Sequence, residues 1–193
     1  MPKQLVIVGA GGVGREIAAV IKKHPLTGYE FVGFIDDGVP AGTLINGYKV
    51  LGGTQWIFDN ANNGLGVILA FGNPQVRKKV AEKLSAIAVD FPSIIHPGAS
   101  IHDEDTVVIG KGCYIADACV LTTDITIADF CFINTACTLQ HDTTIENYSV
   151  LMPGVRITGG AAIGEATYIA PNCVIAIATV IDKNSVIRES VII

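Results

Sequence analysis

Charge is scarce in this chain. Only 16% of its 193 residues are Asp, Glu, Lys or Arg, and 18 acids outnumber 13 bases. A net charge of −5 argues against a nucleic-acid or anionic-membrane surface, which needs clustered positive charge. Long apolar runs are absent too: nothing approaches the roughly 20 residues of a membrane span. The opening "MPKQLVIVGAGG" enters a strand and a glycine turn where a signal peptide would show a charged and then an apolar region. The expectation is a soluble cytoplasmic protein. Five cysteines form no CxxC and four histidines are scattered, so spacing gives neither a zinc site nor a disulfide framework. What is plentiful is apolar: 50% of residues are hydrophobic, enough to build a core and to exclude disorder.

Those apolar residues follow two grammars. From Ile109 to Ile193 every sixth residue is Ile or Leu, fifteen times in succession. Two places earlier runs a column of small or β-branched residues, from Val107 to Val191, and it contains all five cysteines. A cysteine there is a compact apolar side chain packed into a corner. A period of six is not helical. It fits short strands joined by tight turns, three to a coil of about 18 residues, each coil stacking its aliphatics on the next. The predicted architecture is a three-sided parallel β-helix with a filled interior. Chemistry must then take place on its outside, between subunits.

Residues 1–90 read instead as a small Rossmann-like parallel α/β domain, and 91–193 as the β-helix domain. "QLVIV" is a buried strand, Arg15–Lys23 a helix with Ile17, Val20 and Ile21 on one face, and "EFVGFIDD" a second strand. A Gly/Pro-rich loop, a short helix near Trp56–Asp59 and a third strand "GVILAFG" precede a helix with Pro74 at its first position and Asn73 as N-cap. Gly9-Ala10-Gly11-Gly12-Val13-Gly14 matches GxGxxG between strand and helix, and Asp36 and Asp37 end the next strand, where an acid meets a ribose. Gly72 and Asn73 lie at the same carboxyl edge. Ninety residues hold little more than one mononucleotide half, so a nucleotide sugar fits better than NAD. A nicotinamide-dependent oxidoreductase is the competing reading, and glycines that merely let helix and strand pack closely are the structural one. Arg77, Lys78 and Lys79 follow on the helix, where a phosphate contact competes with the favoured reading, a solvated face.

The ordered set "VIVGAGGVG", "FIDD", "FGNPQVRKK", "IIHPGASI", "INTACTLQHDTTI" and "PGVRITGGAAIGE" resembles the sialic acid O-acetyltransferase-type family, which includes the N-acetyltransferases of UDP-linked 4-amino sugars. The resemblance covers nearly the whole chain. It implies a left-handed β-helix, a homotrimer with active sites between subunits, acetyl-CoA as cosubstrate with no metal, and an N-terminal domain that holds the nucleotide of an amino sugar. His141 matches the general base, Asp142 the carboxylate beside it and Asn134 a polar neighbour of the site. Gly9, Gly11, Gly12, Val13, Gly14, Asp36, Asp37, Gly72 and Asn73 fall to the nucleotide sugar, and Val150, Gly159 and Pro171 to acetyl-CoA. Gly159 matches a glycine whose N–H faces the thioester carbonyl. Val150 and Val13 stand where relatives have histidine, and Asp142 is one methylene shorter than the glutamate of some members.

Gln140, His141 and Asp142 follow an inward Leu139, which places them on a surface turn. The reaction needs a base, a positioned thioester and an oxyanion donor. The cysteines, in their packing column, have no activating neighbour. Arg156, Lys183 and Arg188 are candidate cations for CoA phosphates, His96 shapes a turn, and His102 is solvent-exposed. O-acetylation of sialic acid or a related sugar is the close alternative to N-acetylation. A non-catalytic trimeric scaffold and a metal enzyme using His96, His102 and His141 are the remote ones.

Overall fold

The computed structural model describes residues 1–61 and 64–190; Val191 and Ile193, the last members of the two columns, lie outside the described residues. Two compact units result, Met1–Gly72 with Lys79–Pro92 and Asn73–Lys78 with Ser93–Ile193. Residues Asn73–Lys78, expected within the first domain, group with the second unit.

The first unit alternates strand and helix: β1 (Lys3–Val8), α1 (Gly12–Lys23), β2 (Tyr29–Ile35), β3 (Leu44–Ile45), β4 (Tyr48–Gly52), α2 (Thr54–Asn60) and β5 (Gly66–Leu69), followed by α3 (Pro74–Leu84). The sheet order is β3-β4-β2-β1-β5. All pairings are parallel except β3 with β4. That antiparallel hairpin occupies the segment expected to be loop: Asn46 and Gly47 both take left-handed φ, 50° and 87°, as a two-residue hairpin turn demands. Leu5, Val6, Ile7 and Val67 are fully buried on β1 and β5. Ile17, Ala18 and Ile21 bury one stripe of α1. Asn73 caps α3 through Oδ1, which accepts the N–H groups of Gln75 and Val76 at 2.9 and 3.1 Å.

The second unit carries sixteen two-residue strands on three parallel faces. The first face stacks Ser100–Ile101, Val120–Leu121, Thr138–Leu139, Arg156–Ile157 and Val174–Ile175. The second stacks Val108–Ile109, Thr126–Ile127, Thr144–Ile145, Ala162–Ile163 and Val180–Ile181. The third runs from Ile94–Ile95 through Tyr114–Ile115, Phe132–Ile133, Val150–Leu151 and Tyr168–Ile169 to Val186–Ile187. This is the left-handed β-helix. Ile115, Leu121, Ile127, Ile133, Leu139, Ile145, Leu151, Ile157, Ile163, Ile169 and Ile175 are all 0% exposed, so the column of sixth residues is the core. Each such side chain contributes about 1.5–3 kcal/mol by burial.

Corners have a rule of their own. Every sixth residue from Gly112 to Asn184 has left-handed φ. Most are not glycine, and for them the conformation costs about 1–2 kcal/mol each. The offset is a ladder of bonds between coils: Gly160 N–H donates to His141 C=O at 2.8 Å and Ala178 N–H to Gly159 C=O at 2.9 Å. All five cysteines are buried. No helix among the described residues is long and apolar enough to cross a membrane.

Candidate active site

His141 stands on the corner between the first and second faces. Its follower Asp142 takes the left-handed position, φ 60°, which Asp tolerates better than most residues. The turn throws both side chains outward, and they are 56% and 67% exposed. His141 Nδ1 lies 2.7 Å from Asp142 Oδ2. A carboxylate only accepts, so the neutral ring bonded to it carries its proton on Nδ1 and leaves the lone pair on Nε2. That is the arrangement of a base with an orienting acid beside it.

Gly159 lies one coil above on the same corner. A Cβ there would stand 2.6 Å from His141 Nε2 and 3.0 Å from Nδ1, so only glycine leaves room for the imidazole where it lies. Above Gly159 comes Ile177, 69% exposed.

The other expected acetyl-CoA and catalytic positions are placed elsewhere. Asn134 and Pro171 belong to the corner between the third and first faces, where Asn134 Oδ1 accepts Thr135 N–H at 2.7 Å. Val150 is 0% exposed on the third face, paired in register with Phe132 and Tyr168. A single chain therefore brings together His141, Asp142 and Gly159 but neither Asn134, Pro171 nor Val150. Arg156, Lys183 and Arg188 lie exposed on the later coils. His96 Nδ1 accepts Gly98 N–H at 2.9 Å, which closes its turn. Among the described residues no three His, Cys, Asp or Glu side chains converge as a metal site requires. Burial pushes the Cys131 thiol well above its ordinary range, the opposite of what a nucleophile needs.

In the first unit a cleft of about 200 Å³ opens at the carboxyl edge of the sheet, lined among others by Gly9, Asp36, Asp37, Thr54 and Phe71. Asp36 accepts Ala10 N–H at 2.8 Å and Gly38 N–H at 2.9 Å, which ties the glycine turn to the end of β2. Asp37 accepts both the N–H and the hydroxyl of Thr54 at 2.6 Å, capping α2 from a distance because Gly53 has no side chain to do it. These bonds hold the Asp37 carboxyl below its usual range. Thr54 and Phe71 join the expected residues in this lining. Phe71 sits legibly between the strand and Gly72, but the Asp37–Thr54 pair joins residues 17 apart and leaves no local signal.

The glycines of the fingerprint divide into two kinds. Gly9 has φ 104°, open only to glycine, and a Cβ on Gly14 would run into the Gly9 carbonyl. A Cβ on Gly11 or Gly12 meets nothing within 4 Å. Packing explains the outer pair and leaves the inner pair unexplained; their bareness keeps the start of α1 open to an approaching group. Val13 is half-buried, Gly72 half-buried and Asn73 exposed.

Arg77 contradicts the solvated face expected for it. It is 0% exposed, with its guanidinium 5.3 Å from the centre of the Phe132 ring. A planar cation with a long apolar stem finds on an aromatic face the cover that the sequence does not announce. Lys78 is half-buried, and only Lys79 of the three is exposed.

Residues 4–84 match the PglD N-terminal domain and residues 142–176 the bacterial transferase hexapeptide family. Among curated proteins none matches. Solved structures do. The acetyltransferase domain of PglB from Neisseria gonorrhoeae FA1090 is 25% identical over 98% of this chain and 93% of its own, with a TM-score of 0.83. WeeI from Acinetobacter baumannii AYE is 26% identical over 97% and 92%, with a TM-score of 0.68. A perosamine N-acetyltransferase from Caulobacter crescentus, solved with CoA and GDP-perosamine, shares the fold at 21% identity over 97% and 90%, with a TM-score of 0.76. Residues 4–84 thus carry a PglD-type N-terminal domain and residues 142–176 bacterial transferase hexapeptide repeats, and with these solved relatives they mark the chain as an acetyltransferase.

Proposed function

We propose that this enzyme transfers the acetyl group of acetyl-CoA to the amine of a nucleotide-linked amino sugar, with His141 as general base. The observation that carries the reading is the exposed His141–Asp142 pair, 2.7 Å apart, lying across a glycine on an outer corner of the β-helix. The solved relatives support the substrates: one PglB acetyltransferase domain was solved with acetyl coenzyme A, and the perosamine enzyme with CoA and GDP-perosamine.

The amine lone pair of the sugar attacks the thioester carbonyl carbon, and a C–N bond forms. The proton of the new ammonium passes to Nε2 of His141, work typically worth about 10²–10⁴-fold. Asp142 holds the ring and offsets the positive charge that develops on it. Gly159 N–H is the proposed donor to the tetrahedral oxyanion. Collapse breaks the C–S bond, and the CoA thiolate takes the proton that His141 carried. No acyl-enzyme is needed.

Asn134 and Pro171 lie on a different corner from His141 and Gly159, which supports a homotrimer in which the neighbour supplies the former pair. In the first unit, the cleft framed by Asp36 and Asp37, the open Gly11-Gly12 turn and Gly72 at the end of the sheet are the proposed nucleotide-sugar site. The test is to supply acetyl-CoA with UDP- and GDP-linked 4-amino sugars and with free sialic acid, and to identify the product by NMR. An acetamide on a nucleotide-linked sugar is expected. An acetyl ester on sialic acid, with the amino sugars untouched, would replace this reading with O-acetylation.

A further inference from the structure

The first unit has a second cleft, away from the carboxyl edge of its sheet. Along one flank of α1 run Arg15, Ala18, Ala19 and Lys22, spaced as neighbours on one helix face. Across from them stand Asn46 and Tyr48 of the β3–β4 hairpin, and the six residues line about 170 Å³. None of them lines the cleft of Asp36 and Asp37.

Local sequence makes this concavity. Two alanines between two long cations leave a floor with little side chain on it. Asn46 takes the left-handed φ of 50° that the tight hairpin turn needs. Tyr48 opens β4, and its ring is held 4.5 Å from that of Phe31.

The polar groups here are donors that the protein leaves unused. Among the described residues the Lys22 and Asn46 side chains and the Tyr48 hydroxyl have no acceptor. Arg15 Nε reaches only Gly11 C=O, at a long 3.4 Å. Two cations and no acid line the cleft, in a chain whose net charge is −5.

The ligand class follows from matching those donors. A carboxylate offers one charge and two oxygens, whereas a phosphate monoester offers nearly two charges and three terminal oxygens. Two cations and two neutral donors complement the second. Past Lys22 and Tyr48 the cleft continues into a groove of about 400 Å³, lined among others by Ile21, Pro25, Tyr29 and Phe31, with Glu30 its one acid. An apolar, aromatic trough beside a dibasic cleft suits an anion that carries a ring.

We infer that this is a second ligand site, which takes a phosphate monoester: the phosphate lies between Arg15 and Lys22, and the ring of the ester lies toward Tyr48 and Phe31. The inference does not depend on the nucleotide-sugar reading, since the two clefts have separate linings.

The experiment follows inorganic phosphate and phenyl phosphate by phosphorus NMR at constant ionic strength, with wild type, Arg15→Gln, Lys22→Gln and Asn46→Gly. Each titration is repeated with excess UDP-glucose, whose diphosphate is esterified at both ends. Asn46→Gly keeps the left-handed turn and removes a donor. All three positions are exposed, so the variants are expected to melt with wild type. Saturable binding is expected, about tenfold tighter for phenyl phosphate because its ring is covered. Each cation variant should weaken it about tenfold and Asn46→Gly about threefold. UDP-glucose should leave it within about twofold. Wild-type affinity in both cation variants overturns the inference, as does a titration that never saturates. Displacement of phenyl phosphate by UDP-glucose overturns it too, by moving the phosphate to the nucleotide cleft. A phenyl phosphate that binds no tighter than inorganic phosphate overturns the ester assignment.

Discussion

The imidazole of His141 lies across the α-carbon of Gly159, in space that a methyl group would take: a Cβ there would be 2.6 Å from Nε2. The ring is thus held from two sides, by Asp142 at Nδ1 and by the bare backbone one coil above.

Gly159→Ala follows directly. The ring must move by an ångström or more, and a displacement of that size costs about 10²-fold in rate. The expected result is a fall in kcat of that order, with KM for acetyl-CoA little changed. Circular dichroism and thermal melting should show an intact β-helix, because Gly159 is not at a left-handed corner position.

Asp142→Asn probes the tautomer. An amide can donate to Nδ1 and so leave the proton on Nε2, the wrong nitrogen for a base. A loss of about tenfold or more in kcat is expected. Stability should scarcely change, since an exposed pair contributes only about 0–1 kcal/mol. Steady-state rates and urea unfolding check both halves.

The fingerprint glycines should separate by phenotype. Gly14→Ala drives a methyl into the Gly9 carbonyl and should cost about 1–3 kcal/mol, read as a lower unfolding midpoint of the first unit. A Cβ on Gly12 meets nothing within 4 Å, so in Gly12→Ala the fold should survive while acceptor KM rises about tenfold or more.

Asp37 yields a pH dependence. Its hydrogen bonds to Thr54 depress the folded pKa below 3.8, so the unfolded chain binds the proton more tightly. The contribution to stability is complete above the unfolded value and drains away as pH falls through the lower folded one. Asp37→Asn should therefore narrow its stability gap to wild type as pH drops below about 4, seen in urea unfolding at successive pH values.

The β-helix was legible because its period is covalent: one aliphatic in six, repeated from Ile109, has no other packing solution. Corner chemistry was legible in part. His141 and Asp142 follow an inward Leu139, and that phase alone puts them outside. What no period announces is contact between distant residues. Arg77 reads as one of three cations on a helix, and only the Phe132 ring, 55 positions on, makes it a buried one. The β3–β4 hairpin hid in a Gly/Pro-rich stretch because its strand is two residues long. Val150 matches by motif in the chain, and what the motif does not announce is that its side chain is 0% exposed on the third face.

The central claim is that His141 takes the proton. The most direct test compares kcat for acetyl transfer by wild type and His141→Ala at saturating acetyl-CoA and amino-sugar acceptor. With thermal midpoints equal, as an exposed side chain allows, the variant is expected to lose about 10²–10⁴-fold in kcat. A folded His141→Ala enzyme that turns over at the wild-type rate would contradict the account.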